Sequence, residues 1–122
     1  AKPKYTSLPK DFAQAKEILP NPIWNGHEEE LKMYWRAWEI AVGNIRNPEP
    51  GSGFVMPYID TAYNGNIFMW DSAFILMFAR YGARYFPFQY TLDNFYAKQH
   101  PDGFICREIR VMEPTVSNAM TR

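Results

Sequence analysis

Trp70-Asp71-Ser72-Ala73-Phe74-Ile75-Leu76-Met77-Phe78-Ala79 is the stretch on which the reading of this chain turns. Asp71 and Ser72 both carry side-chain oxygens that accept an orphan amide at a helix start. The sequence therefore predicts a helix that begins at one of them and stops at Gly82, a residue suited to a helix C-terminus. The residues between are apolar on every side. A helix without a polar face is enclosed by other protein or lies in a membrane. A membrane span takes about 18 or more apolar residues, more than this run offers, so the reading requires covering layers.

Directly upstream, Tyr58 to Met69 forms a polar, aromatic, glycine-bearing run that leads into the helix. Hydrogen-bonding groups and flat rings set against an apolar helix suit a ligand floor. Trp70-Asp71 is its sharpest feature. An indole offers a flat apolar face and a carboxylate accepts hydrogen bonds in fixed directions, the two contacts that a pyranose ring with its C–H faces and rim hydroxyls takes. A hydrogen bond from a sugar hydroxyl to a charged acceptor contributes about 1.5–3 kcal/mol. The same dipeptide is equally accounted for with Trp70 as a packing residue and Asp71 as a helix N-cap, and the residues alone leave both readings open.

The flanking sequence supplies helices. Phe12, Ala15, Ile18 and Leu19 fall at helical spacing between Lys10 and Leu19, and Pro20 and Pro22 end that run. Glu28, Glu29 and Glu30 open a second helix, where negative charge suits the positive end of the helix dipole. Its apolar face is Leu31, Trp35, Trp38, Val42 and Ile45, with Asn44, Arg46 and Asn47 near its end and Pro48 and Pro50 forbidding continuation. Trp35 and Trp38 read as core. Gly51-Ser52-Gly53 punctuates the chain, and Phe54-Val55-Met56 is expected as a short extended piece. A fourth helix, Phe88 to Gln99, forms a hairpin with the third through a turn at Tyr85-Phe86-Pro87. His100-Pro101-Asp102-Gly103 signals a tight reversal. In the extended stretch that follows, alternation places Phe104, Cys106 and Glu108 on one side and Ile105, Arg107 and Ile109 on the other. Arg107 and Glu108 point apart, so either one is free to reach a cleft or to be a solvated surface group. The expected fold class is all-α, with about four helices in one domain over residues 1–122, a usual domain length.

Composition narrows the function. Thirteen basic and thirteen acidic residues give zero net charge, against a nucleic-acid partner, which needs a basic stripe. Aromatic residues make up 17% of the chain, enough for ring-lined core or cleft surfaces. Cys106 stands alone, so no intrachain disulfide and no zinc site built on thiolates is expected. His27 and His100 are far apart without carboxylates at ligand spacing, Ser72 lacks a Gly-x-Ser-x-Gly setting, and Gly51 and Gly53 match no phosphate-binding pattern. No metal, cofactor, nucleic-acid or membrane partner is expected.

Taken together, Phe68-Met69-Trp70-Asp71-Ser72-Ala73-Phe74 and Gln99-His100-Pro101-Asp102-Gly103-Phe104-Ile105-Cys106-Arg107-Glu108 resemble the six-hairpin glycosidases, most closely the bacterial branch of glycoside hydrolase family 63 and its mannosylglycerate-hydrolase-like relatives. The resemblance covers roughly residues 24 to 110. It implies an inverting, exo-acting glycosidase of α-linked sugars, built as an (α/α)6 toroid of which this chain is a partial, N-terminal piece. Trp70 and Asp71 would contact the non-reducing sugar in the innermost subsite. Arg107 and Glu108 would lie near it, with Tyr63, Asn64, Phe68 and Gln99 completing the substrate-binding set. The apolar third helix would be an inner-ring helix. Inversion needs two carboxyl groups about 6.5–9.5 Å apart, and the resemblance puts that pair downstream. No catalytic residue is then expected in this chain, which alone would be inactive. The implied partners are a carbohydrate substrate and the remainder of the catalytic domain. A non-catalytic helical carbohydrate-binding or scaffold module is the alternative.

Overall fold

A computed structural model describes residues 11–60 and 65–111. In chain order its elements are α1 (Phe12–Ile18), α2 (Glu28–Gly43), β1 (Ile45–Arg46), β2 (Tyr58–Ile59), β3 (Ile67–Phe68), α3 (Met69–Ala79), a 3-10 turn (Arg80–Gly82), α4 (Tyr90–Tyr96) and β4 (Glu108–Ile109). The strands make two small antiparallel sheets, β1 with β2 and β3 with β4. This overturns the all-α expectation and with it the partial toroid: the described residues form a mixed α/β fold.

The local chemistry of each element explains its bounds. Asp11 caps α1, its Oδ1 accepting the Ala13 amide at 2.9 Å. The helix buries Ala15, and Leu19 follows it into the core. The glutamates fill the first turn of α2, which buries Trp38, Ala41 and Val42. The expected apolar face runs one residue too far, because Ile45 belongs to β1. Ile45 lies opposite Ile59, and Arg46 opposite Tyr58. Ile45 is still buried, so the strand delivers to the core the side chain that helical spacing had assigned to α2. A β-branched residue packs well on such a pleated surface.

The polar run before α3 contains two strands rather than a single loop, and Phe54 to Met56 forms none. α3 also starts early, with Phe68 at its N-cap position and no side-chain cap. The Met69 amide, which lacks an intrahelical partner, donates instead to the Arg107 carbonyl at 2.8 Å. Backbone from the β4 side thus does the work expected of Asp71 or Ser72. Gly82 has a different task from the one expected. It is not among the positive-φ glycines. A Cβ there would lie 2.8 Å from Trp38 Cη2 and 3.0 Å from Leu19 Cδ2, so the small residue lets the 3-10 turn press on the α2 indole. α4 is shorter than its apolar stripe suggested, ending at Tyr96.

The interior has two clusters. One gathers Ala15, Leu19, Trp38, Val42, Ile45, Ile59, Leu76, Ala79, Phe86 and Phe88. The other gathers Phe54, Tyr58, Ile67, Phe95, Cys106 and Ile109, and Leu92 packs against both. Trp38 is buried as expected, whereas Trp35 is half-buried, edge-on to Phe12. The stretch before Ile109 bends at Arg107. The bend breaks the expected alternation: Arg107 is exposed while Ile109, assigned to the same side, is buried.

Between the clusters, α4 buries two polar side chains. Thr91 Oγ1 accepts the Ile59 amide at 3.1 Å. Asn94 Oδ1 accepts the amides of Val55 and Met56 at 2.8 and 3.0 Å, and its Nδ2 donates to the Met56 and Tyr90 carbonyls. Replacing Asn94 with alanine strands those backbone groups, at about 1–3 kcal/mol for each one left unpaired. We expect Asn94→Ala to lower unfolding free energy by about 3 kcal/mol in urea titration; a loss below about 0.5 kcal/mol, as for an ordinary surface change, would contradict this account.

Candidate functional site

The β3–β4 ribbon brings together the two sequence segments that carry the site. Ile67 lies opposite Ile109, and Phe68 opposite Glu108. With Met69 bonded to Arg107, the chain enters α3 alongside the Arg107-Glu108 dipeptide. Trp70 and Asp71 occupy the first turn of the helix. Trp70 is 75% exposed and inclines against Phe74, ring centroids 5.3 Å apart. The Asp71 carboxylate is exposed and takes no hydrogen bond or ion pair among the described residues. Asp71 is therefore not a cap, and the packing explanation of Trp70 does not hold within the described residues.

The other expected site residues divide. Phe68 is half-buried at the ribbon end, its Cα paired with that of Glu108. Glu108 is engaged by Arg110, Nε to Oε1 at 3.1 Å, while Arg107 is exposed. Gln99 turns elsewhere: its Nε2 donates to the Gly103 carbonyl at 2.9 Å, bracing the His100–Gly103 reversal. Tyr63 and Asn64 lie outside the described residues. His27 stands at the N-cap of α2 without capping it, stacked on Trp24 at 3.8 Å and 3.3 Å from Glu30 through Nδ1. His100 is a turn residue, as expected. Among the described residues no group of three metal-ligating side chains comes together. No helix is long and apolar enough to cross a membrane. Cys106 is buried, and burial pushes its thiol up from the usual range.

The sequence reading missed the polar node beneath this surface. Asp60 is fully buried. Its Oδ2 accepts the Gly65 amide at 2.8 Å and the Arg46 Nε–H at 3.3 Å, and its own amide donates to the Asn44 carbonyl at 2.8 Å. The Tyr58 hydroxyl donates to the Gly65 carbonyl at 2.9 Å. Burial first, then the charge of Asp60, pushes the Tyr58 phenol up to about 12, with Arg46 acting in the opposite direction. The available signal was the lone carboxylate ending the apolar run Pro57-Tyr58-Ile59, because a charge in such a setting requires partners.

No protein-family model, curated protein or solved structure matches this chain. The site is read from its own geometry.

The Tyr58 phenol gives that geometry a titration. A raised folded-state value makes its stabilisation complete below the ordinary tyrosine range near 10, and the contribution is lost as pH rises through about 12. Thermal unfolding should fall in temperature between those pH values. Tyr58→Phe, which costs about 1 kcal/mol at neutral pH for the lost hydrogen bond, should flatten that fall; an unchanged alkaline slope would remove Tyr58 as its source.

Proposed function

We propose that this chain forms the innermost sugar-binding subsite of an inverting, exo-acting glycoside hydrolase of α-linked sugars. One observation carries the reading: the ribbon unites Trp70-Asp71 with Arg107-Glu108, the two segments on which the resemblance to glycoside hydrolase family 63 and its relatives rests. An exposed indole suits stacking on a pyranose C–H face. The neighbouring carboxylate, free of protein partners among the described residues, is available to ring hydroxyls, and a charged acceptor makes the stronger kind of hydrogen bond. Arg107, at the bend that precedes β4, adds exposed donors.

In this reading Asp71 grips the sugar and does not break the bond. Glu108 pairs with Arg110, and this reading gives it no part in breaking the bond. The acid and base belong to the remainder of the catalytic domain. That remainder also has a surface to cover, for Trp70, Phe74, Met77 and Tyr81 are all exposed. The described residues leave this side of α3 open, contrary to the expectation of a helix enclosed all round, and a contiguous apolar face of this kind marks an interaction site.

The engagement of Glu108 also favours a second reading, a carbohydrate-binding module without chemistry. Hydrolysis separates the two. The protein with its full catalytic domain should release sugar from aryl α-glucosides or α-mannosides with inversion at the anomeric carbon, whereas a module should bind without turnover.

Two measurements test the binding surface. Asp71→Ala should weaken uptake of methyl α-D-glucopyranoside or methyl α-D-mannopyranoside by about tenfold or more, the equivalent of one charged hydrogen bond, with the melting temperature unchanged. Equal affinity in calorimetry would remove Asp71 from the site. For the apolar face, Met77→Lys combined with Phe74→Ser should reduce self-association of the chain in analytical ultracentrifugation without loss of helicity; unaltered association would mean that this face attracts nothing.

A further inference from the structure

We propose that Asp60 is a positioning residue for the sugar site, acting through Gly65 and β3 to fix where Trp70 and Asp71 stand. The proposal rests on the sugar-binding reading for its ligand and on geometry for its mechanism.

The mechanism is a continuous series of fixed points. Asp60 is itself anchored, fully buried, with its amide on the Asn44 carbonyl at the end of α2. Its carboxylate holds the Gly65 amide at 2.8 Å. Gly65 adopts φ +83, which favours glycine, and a Cβ there would fall 2.6 Å from Val111 Cγ2, so that any side chain would also have to displace Val111. The Tyr58 hydroxyl holds the Gly65 carbonyl. One residue on, Asn66 Oδ1 accepts the Val111 amide at 2.9 Å. Ile67 and Phe68 are then paired in the ribbon, Met69 is bonded to Arg107, and the next residues are Trp70 and Asp71. From Gly65 to Met69 each residue is held by a named backbone or side-chain contact, and the first of them is held by Asp60.

Arg46 makes this anchor affordable in a buried place. A carboxylate withdrawn from water is costly unless paired and hydrogen-bonded. The Arg46 guanidinium, 40% exposed, and the Gly65 amide both donate to the same Asp60 oxygen, Oδ2. Losing the carboxylate charge removes both the ion pair and the strongest acceptor for Gly65.

Asp60→Asn keeps the side-chain volume and removes the charge. Two readouts on the purified protein separate positioning from simple destabilisation. In amide hydrogen exchange, the amides of residues 66–71 should exchange about tenfold faster, while those of Trp38 to Gly43 in α2 stay as in the wild type; local opening of this kind is independent of global unfolding. In titration with methyl α-D-glucopyranoside and methyl α-D-mannopyranoside, affinity should fall about ten- to a hundredfold, as expected when binding groups lose alignment. Asp71→Ala serves as the control, losing affinity with no change in exchange. Acceleration spread evenly over the chain, or none at residues 66–71, overturns the proposal. Should Asp60→Asn fail to fold, Arg46→Gln, at a half-exposed position, must show the same segment-limited acceleration, and wild-type exchange there overturns it. If the wild type takes up neither glycoside, the sugar reading falls, and the exchange pattern still decides whether Asp60 positions residues 66–71.

Discussion

Residues 54 to 60 enter the interior of this protein, buried at all positions but Val55 and Met56, with only Tyr58 and Ile59 in a strand. Every buried amide and carbonyl outside regular structure must still find a partner. Here most of the partners are side chains. Asn94 and Thr91, one turn apart on α4, serve Val55, Met56 and Ile59, and the Asn44 backbone carbonyl takes the Asp60 amide. This dependence explains why a short amphipathic helix buries an amide and a hydroxyl where its stripe would otherwise hold leucine. It also explains the two-cluster interior, since the segment passes between the clusters and needs polar contacts where they meet.

The same requirement extends to the site. Once Asp60 is buried, its carboxylate needs donors, and these include the Gly65 amide and Arg46. The ribbon then substitutes for a helix cap: a carbonyl from residue 107 takes the first amide of α3. With the capping work done by backbone, the carboxylate of Asp71 is left for another use. The exposure of Trp70 and Asp71 is thus a consequence of how α3 is started.

What could be read from the sequence followed from periodicity. The four helices and the His100–Gly103 turn were visible because 3.6-residue spacing, proline stops and turn residues are local signals. The two sheets were not, because each strand is a dipeptide, too short for alternation to register, and because Ile45 continued the α2 stripe in phase. Gly82 misled for a related reason: its value lies in contact with Trp38 across the fold, and sequence shows only its place after a helix. In the site, Trp70, Asp71, Arg107 and Glu108 were legible as residue types that suit a sugar. Their convergence depends on the register Phe68 with Glu108, a non-local fact. Gln99 braces a turn, which its sequence position did not reveal because a turn brace and a ligand donor use the same amide. Asp60 and Arg46 escaped notice because a buried ion pair is recognisable only once its two members are known to meet.

The pairing of Ile67 with Ile109 joins chain positions that enclose the whole α3–α4 hairpin. Closing so long a loop carries an entropic cost before any contact rewards it, and non-local strand pairing is slow relative to helix formation. The helices on either side of the ribbon can form from contacts near in sequence; the ribbon cannot. The surface that carries Trp70, Asp71 and Arg107 therefore depends on one of the contacts of long sequence separation that folding must close. What stands next to what on this face is decided by strand register, and the helices form without reference to it.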